Sequence, residues 1–297
     1  MSHRDWGLAL LVVLAWGINF VVIKWGLDEL PPMLLGALRF ALVAFPAILF
    51  IRPPKLPLKW LMAYGLTISF GQFALLFSAM HLGMPAGLAS LVLQSQAIFT
   101  LFFALLFLGE RWQAQQVVAL LVAGIGLVIL ALQSGSGNMT LIGFTLTLAA
   151  AACWGMGNII NRKIGQLGSV NLLSLVAWSA LIPPIPFLLL SYGFEGPQLI
   201  SQSLANMGIK SVLAVIYLAA VATLFGYSSW AYLLKHHPAS QVAPLTLLVP
   251  VVGLISAWLL LGETLNLVQA GGIALIMTGL LINVFGRRLL PQPRPIS

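Results

Sequence analysis

One guanidinium, Arg39, stands inside the apolar run 33–51. Placing such a cation in hydrocarbon costs ~2.5–3.5 kcal/mol on insertion scales, so it must face a cavity or a partner. Its planar fork of donors suits a carboxylate gripped by two parallel hydrogen bonds. The alternatives are an ion pair with Asp28 or Glu29 just outside the run, or snorkelling toward the interface. Asn19, Gln72, Gln94, Gln96 and Asn158 carry amides into similarly apolar surroundings. An amide has donors and acceptors that lipid leaves unpaired, so these either line a wet cavity or tie helices together. Trp16 and Trp154 lie mid-run, away from the ends where membrane tryptophans gather. Their rings offer either a face for a substrate ammonium or bulk for packing, and Tyr227 and Trp230 raise the same choice. A cationic fork, amides and electron-rich rings make up the chemistry of holding a small zwitterion.

Bond-making chemistry has much thinner support. No Asp, Glu, Lys or His lies deep in an apolar run, and neither a Gly-Lys-Ser/Thr loop nor a His-Glu-x-x-His pair occurs. An intramembrane hydrolase or transferase needs such a set, so the chain is not expected to be an enzyme, and no metal or cofactor is expected. Cys153, the single cysteine, allows neither an internal disulfide nor a thiolate metal site. Glu110 and Glu263 resemble a paired acid motif, but each closes an apolar run and they fall on opposite sides of the membrane. Both read as local structural groups, with Arg111 a natural partner for Glu110.

The elements that position these residues follow from composition. With 60% apolar and 7% charged residues and a mean hydropathy of +1.03, the chain cannot solvate itself in water, where a domain of this size carries about 25% charge. Its solvent is lipid. The net charge of +8 is scattered at the ends of apolar runs, which excludes a nucleic-acid patch and indicates membrane orientation. Ten runs are long enough to cross: about 6–24, 33–51, 60–80, 85–108, 114–132, 140–161, 171–192, 210–233, 238–261 and 267–286. The first has no small-residue cleavage site and reads as a retained span. The joins carry breakers such as Leu30-Pro-Pro, Arg52-Pro-Pro-Lys and Ser134-Gly-Ser-Gly-Asn, and leave no room for a soluble domain. Eleven basic residues, including Arg287, Arg288 and Arg294, fall on one side, while Lys24 and Lys210 fall on the other. Both termini are therefore expected in the cytoplasm.

The chain also repeats. Pro85-Ala86 followed by Leu108-Gly109-Glu110 returns as Pro238-Ala239 followed by Leu261-Gly262-Glu263, at a constant offset of 153 that also carries Ala119 and Gly126 onto Gly272 and Gly279. Trp16-Gly17 returns as Trp154-Gly155, with Asn19 and Asn158 three and four residues after their tryptophans. Two units are expected, 7–132 and 140–286, each of five helices. Five is odd, so the second enters from the opposite face, which puts a site near the midplane between inverted repeats. Pro244 and Pro250 interrupt the ninth run and are candidate hinges lining that site, although membrane helices also tolerate proline without such a role. The small residues of the fifth and tenth runs read as close-packing positions.

The Trp-Gly-x-Asn-Phe opening, the two Pro-Ala…Leu-Gly-Glu blocks and the Gly-rich run after each resemble the EamA branch of the drug/metabolite transporter superfamily, over residues 7–286. Within it, Phe45-Pro-Ala-Ile, Tyr64-Gly-Leu-Thr-Ile-Ser-Phe, the stretch from Met84 to Gln94, Trp178-Ser-Ala-Leu-Ile-Pro and the stretch from Val242 to Leu254 are similar to enteric members that export O-acetylserine and cysteine. The resemblance implies an all-α, ten-helix carrier in the bacterial inner membrane that exports small amino-acid metabolites by alternating access. Lipid and a small-molecule substrate would be its partners. Its sites would be formed within one chain, so a monomer suffices. A broad drug exporter is the alternative within the superfamily, relying on Trp and Met surfaces more than on Arg39. The residues leave the coupling ion open, and a channel is separated from a carrier only by saturable counterflow.

Overall fold

The computed structural model describes residues 1–135, 139–168 and 170–289. The centre of the Ser134–Asn138 join and the expected basic Arg294 lie outside the described residues, as do the side chains of Arg287 and Arg288. Ten helices are long and apolar enough to span a membrane: α1 His3–Leu27, α2 Pro32–Phe50, α3 Leu58–His81, α4 Ala86–Leu108, α5 Ala114–Leu132, α6 Leu141–Gln166, α7 Leu172–Glu195, α8 Ile209–His236, α9 Ser240–Leu261 and α10 Leu267–Gly286. No strand occurs among the described residues, so the protein is an all-α, multi-pass membrane protein. α1, α6 and α8 overrun their apolar cores by three to five residues because Lys24, Arg162, Lys163 and Lys235 lie on their outer turns, where a helix continues after hydropathy has stopped reporting it.

Local chemistry explains the ends. Ser2 caps α1, its hydroxyl accepting from the Asp5 amide at 3.2 Å while the Asp5 carboxylate accepts from the Ser2 amide. Pro32 opens α2 at a position where no N–H is needed. The two Leu-Gly-Glu motifs are the same C-terminal device used twice. Gly109 and Gly262 take φ of +66° and +67°, a left-handed turn that favours glycine, and Glu110 N and Glu263 N each donate to an alanine carbonyl one turn and a half back, Ala104 and Ala257, at 3.3 Å.

Consecutive helices run in alternate directions. The face where α1 begins is called the terminal face below, and its opposite the far face. α5 and α10, equivalent helices of the two halves, lie antiparallel with reciprocal contacts. A Cβ on Gly126 would fall 2.6 Å from the Gly272 carbonyl, and one on Gly279 would fall 2.7 Å from that of Ala119. In the 153 frame Gly126 becomes Gly279 and Ala119 becomes Gly272, so the two contacts are one contact seen from each end. Such reciprocity between antiparallel helices requires a twofold axis lying across them, which is the inverted arrangement.

Several helices depart from regular α geometry. Stretches Gly65–Gly71 of α3, Ser191–Glu195 of α7 and Tyr217–Phe225 of α8 are π-helical. α7 also breaks at Ala180–Pro183, ahead of Pro183-Pro184. α4 and α9 tighten to 3₁₀ geometry at Leu93–Ser95 and Ala243–Leu247, matching positions in the repeat frame. The two tight turns meet, Gln94 Nε2 donating to the Thr246 carbonyl at 3.3 Å. Pro244 lies in the first turn of this 3₁₀ stretch and Pro250 in the first turn of the α-helix that follows, where a missing amide proton costs little. α4 breaks at the same place with Leu91 and Ala97 at the matching positions, so the break belongs to the crossing and not to proline alone.

The far face is closed by carboxylates that cross between halves. Glu195 accepts from the amides of Met33 and Leu34 at 2.6 and 3.2 Å, Glu263 from those of Ala86 and Gly87 at 2.7 and 2.9 Å, and Glu29 from that of Gly208 at 2.8 Å. Each satisfies orphan N–H groups and opposes the positive end of a helix dipole. Asp28 pairs with Lys210 at 2.8 Å. On the terminal face, Glu110 pairs not with the expected Arg111 but with Arg162 of α6, at 2.5 and 3.2 Å. The left-handed turn at Gly109 aims Glu110 across to the neighbouring helix.

Candidate functional site

Between the halves lies a cavity of about 290 Å³. It brings together all eight residues expected to hold substrate: Trp16 and Asn19 of α1, Arg39 of α2, Gln72 of α3, Gln94 of α4, Trp154 and Asn158 of α6, and Tyr227 of α8. It runs from mid-membrane toward the terminal face, where Asn161 and Leu234 border it, while the far-face side is sealed by α4 against α9. Tyr64, Phe73 and Thr246 also line it and were not singled out. Nothing in their local sequence marks them, since an aromatic or threonine in an apolar run reads as packing.

Arg39 is 2% exposed and makes no ion pair. Asp28 is taken by Lys210 and Glu29 by the Gly208 amide, so the ion-pair alternative is not the arrangement found. Arg39 Nη2 donates to Thr223 Oγ1 at 3.0 Å, within the π-helical stretch of α8, and Thr223 in turn donates to the Leu218 carbonyl at 2.8 Å. The guanidinium carbon stands 4.0 Å from the centre of the Phe73 ring, a favourable cation–π distance, and 5.5 Å from that of Phe40. Nε and Nη1 have no protein acceptor. Leaving a buried donor unmade costs about 1–3 kcal/mol, more when it is charged. Arg39 borders the cavity, while Nε and Nη1 are themselves shut off from it in this conformation.

The amides divide. Asn158 Nδ2 donates to Gln96 Oε1 at 2.7 Å and to Thr100 Oγ1 at 3.0 Å, tying α6 to α4. Among the described residues the side chains of Asn19 and Gln72 find no hydrogen-bond partner, and their amide oxygens are buried. Trp16 serves both readings. Its Nε1 donates to the Ala222 carbonyl at 2.9 Å in the widened turn of α8, and its ring tilts against Tyr227 and Trp230 at 5.6 and 5.3 Å while bordering the cavity. Gly226 permits this, because a Cβ there would meet Trp16 Nε1 at 2.5 Å. Tyr217 reinforces the junction by donating to the Ala15 carbonyl at 2.9 Å.

The glycines beside the two tryptophans set how closely the walls approach. A Cβ on Gly17 would overlap Val252 Cγ1 of α9, and one on Gly155 would fall 2.8 Å from Phe99 Cβ of α4. Val252 and Phe99 are equivalent in the 153 frame. Each Trp-Gly pair therefore directs a large ring to the cavity and packs its bare backbone on the broken helix of the other half.

Comparison with known proteins agrees with this architecture. A model of the EamA-like transporter family matches the chain twice, at residues 6–132 and 141–285. The chain belongs to the EamA-like transporter family. It is 55% identical over 291 residues to a probable amino-acid metabolite efflux pump of Salmonella typhimurium, covering 97% of both chains, and 52% identical over 290 residues to one of Escherichia coli K12, with the same coverage. It is also 26% identical over 307 residues to a probable terminal-alkyne amino-acid exporter of Streptantibioticus cattleyicolor, covering 100% of this chain and 98% of that one. A solved crystal structure, 20% identical, superposes with a TM-score of 0.67 over 98% of this chain and all of the other, a likeness of fold.

Proposed function

We propose that this EamA-like protein exports small zwitterionic amino-acid metabolites, of the O-acetylserine and cysteine kind, across the bacterial inner membrane. Two five-helix units, 7–132 and 140–286, alternate access to the cavity, with Pro244 and Pro250 flanking the turn at which α9 bends. The excess of basic residues on the terminal face supports cytoplasmic termini. The cavity then loads from the cytoplasm, the direction an exporter needs. One chain supplies every wall, so a monomer suffices.

The observation that carries this reading is Arg39: a buried guanidinium at the wall of a largely apolar cavity, with two donors unengaged and no carboxylate of the protein paired to it. A substrate carboxylate completes that site. The rings of Trp16 and Tyr227 and the amides of Asn19 and Gln72 supply an electron-rich, polar surface for the ammonium end. At about 290 Å³ the cavity sits at the low end of the ~300–1,000 Å³ range of small-molecule sites, a size that suits a small metabolite.

The test is efflux into everted vesicles at matched protein abundance. Loss of a charge-assisted hydrogen bond is worth about 1.5–3 kcal/mol, so Arg39→Gln should weaken apparent affinity about ten- to hundredfold. Arg39→Lys should recover only part of it, because the fork geometry is lost. Unchanged transport in Arg39→Gln rejects the clamp. Drug resistance without amino-acid efflux on overexpression rejects the substrate class.

A further inference from the structure

The two Leu-Gly-Glu ends have the same backbone and different partners. Gly109 and Gly262 agree in φ to a degree, and Glu110 and Glu263 donate their amides to equivalent alanines at the same 3.3 Å. Yet Glu263 grips the first two amides of α4, at 2.7 and 2.9 Å, while Glu110 reaches sideways to Arg162. The 153 frame carries Ala86 and Gly87 onto Ala239 and Ser240, the start of α9. Among the described residues, no carboxylate reaches the amide of Ser240; Glu110, the equivalent of Glu263, is held by Arg162 instead.

Packing follows the same asymmetry. At the far face the start of α4 lies tightly on α9. A Cβ on Gly87 would meet Ala257 Cβ at 3.2 Å, and one on Gly253 would overlap Ser90 Oγ. At the terminal face the start of α9 makes no comparable contact with the end of α4, which packs on α6 instead. The sealed face is the one whose glutamate is engaged, and the cavity extends toward the face whose glutamate is not.

We propose that Glu110 and Glu263 are alternating latches for the two faces, and that Arg162 parks Glu110 while the terminal face is open. When α9 swings onto α4 about the crossing of the two 3₁₀ turns, Glu110 leaves Arg162 and takes the amides of Ala239 and Ser240. Glu263 then releases Ala86 and Gly87. The two events are one contact exchanged between equivalent ends, so the open and closed faces swap without any change in the number of satisfied helix termini. This inference rests on the alternating-access reading above and on nothing about the substrate.

The experiment reads far-face opening without substrate. Ala257, 1% exposed beneath the Glu263 latch, becomes the sole cysteine in Ala257→Cys/Cys153→Ser, and labelling by a membrane-impermeant thiol reagent is followed from the far side. Glu263→Gln should raise labelling about tenfold, the effect of losing charge-assisted hydrogen bonds. Arg162→Gln should raise it about two- to fivefold by freeing Glu110 from an exposed pair. Glu110→Gln should lower it, because the competing state loses its latch. Opposite signs for the two partners of one ion pair are the signature. Should Glu263→Gln fail to reach the membrane, the Glu110→Gln and Arg162→Gln pair still decides the matter. Changes of the same sign, or none, would overturn the proposal and leave an ordinary surface ion pair. An intact sign pattern without amino-acid export would instead remove the substrate reading alone.

Discussion

The segments Trp16–Asn19 of α1 and Trp154–Asn158 of α6 are the same motif in the two halves, and they have been put to different uses. Both glycines let the helix backbone lie against a broken helix, and both tryptophans border the cavity. In α6 the asparagine is spent on structure, with Gln96 and Thr100 taking both of its donors. In α1 the asparagine side chain finds no partner among the described residues, and the tryptophan is fixed to the Ala222 carbonyl. Symmetry of sequence therefore sets the frame of the cavity, while the buried polar side chains of its wall that keep atoms without a partner, those of Asn19, Arg39 and Gln72, lie in the first half. An inverted repeat gives a carrier two interchangeable walls for motion, but a substrate is not twofold symmetric and is served better by one specialised wall.

The largest expected effect tests what the halves share. Gly155→Ala places a Cβ 2.8 Å from Phe99 Cβ and 3.0 Å from the Thr100 amide nitrogen, atoms close to or in the backbone that cannot turn aside. A loss of about 1–3 kcal/mol is expected, seen as reduced membrane abundance and a lower unfolding temperature in detergent. Gly17→Ala meets Val252 Cβ at 2.5 Å and the Val249 carbonyl at 3.1 Å, neither of which moves when the Val252 side chain rotates, so a loss at least as large is expected. Tolerance of either substitution would mean that the two helices it joins are less tightly packed than described here.

The next effect tests where the halves differ. Asn19→Ala should weaken apparent substrate affinity about two- to tenfold, the worth of one hydrogen bond, at unchanged thermal stability. Asn158→Ala should do the reverse, lowering stability by about 0.5–1.5 kcal/mol as α6 loosens from α4, with affinity less affected. Transport titrations alongside thermal melts separate the two. An identical phenotype for both would erase the division of labour.

The smallest effect concerns the surface. Glu110 and Arg162 are nearly half exposed, at 45% and 49% of their side chains, so Arg162→Gln should change unfolding stability by no more than about 1 kcal/mol. A larger loss in a melt would show that the pair carries the terminal face structurally.

Much of this fold was legible because the forces that set it are one-dimensional. Ten apolar runs, each long enough to cross, count the helices, and an ungapped offset of 153 announces the repeat. The polar residues of the cavity could also be gathered, since an amide or guanidinium in lipid has few places to go. Partners were harder to foresee. Glu110 finds Arg162, 52 residues on, instead of neighbouring Arg111, because the outcome depends on which helix the Gly109 turn faces. Asn158 is satisfied by Gln96 only through the approach that Gly155 allows. The π-helical stretches of α3, α7 and α8 left no mark in hydropathy, because an added backbone residue changes neither composition nor length enough to be read. They matter nonetheless, since one frees the carbonyl that anchors Trp16 and carries the threonine that meets Arg39.

The seam between α5 and α10 carries a consequence for how such a chain arises. Its contacts are self-complementary: the patch on Gly126 and Ala119 meets the patch on Gly279 and Gly272 as an isologous surface meets its own copy in a C₂ dimer. Nothing in that interface requires the two helices to belong to one polypeptide. A half-length chain able to insert in both orientations would already meet itself here, and joining two copies end to end would preserve the interface while freeing the remaining helices to diverge. The divergence seen between Asn19 and Asn158 is of that kind, permitted because the α5–α10 contact depends on neither residue.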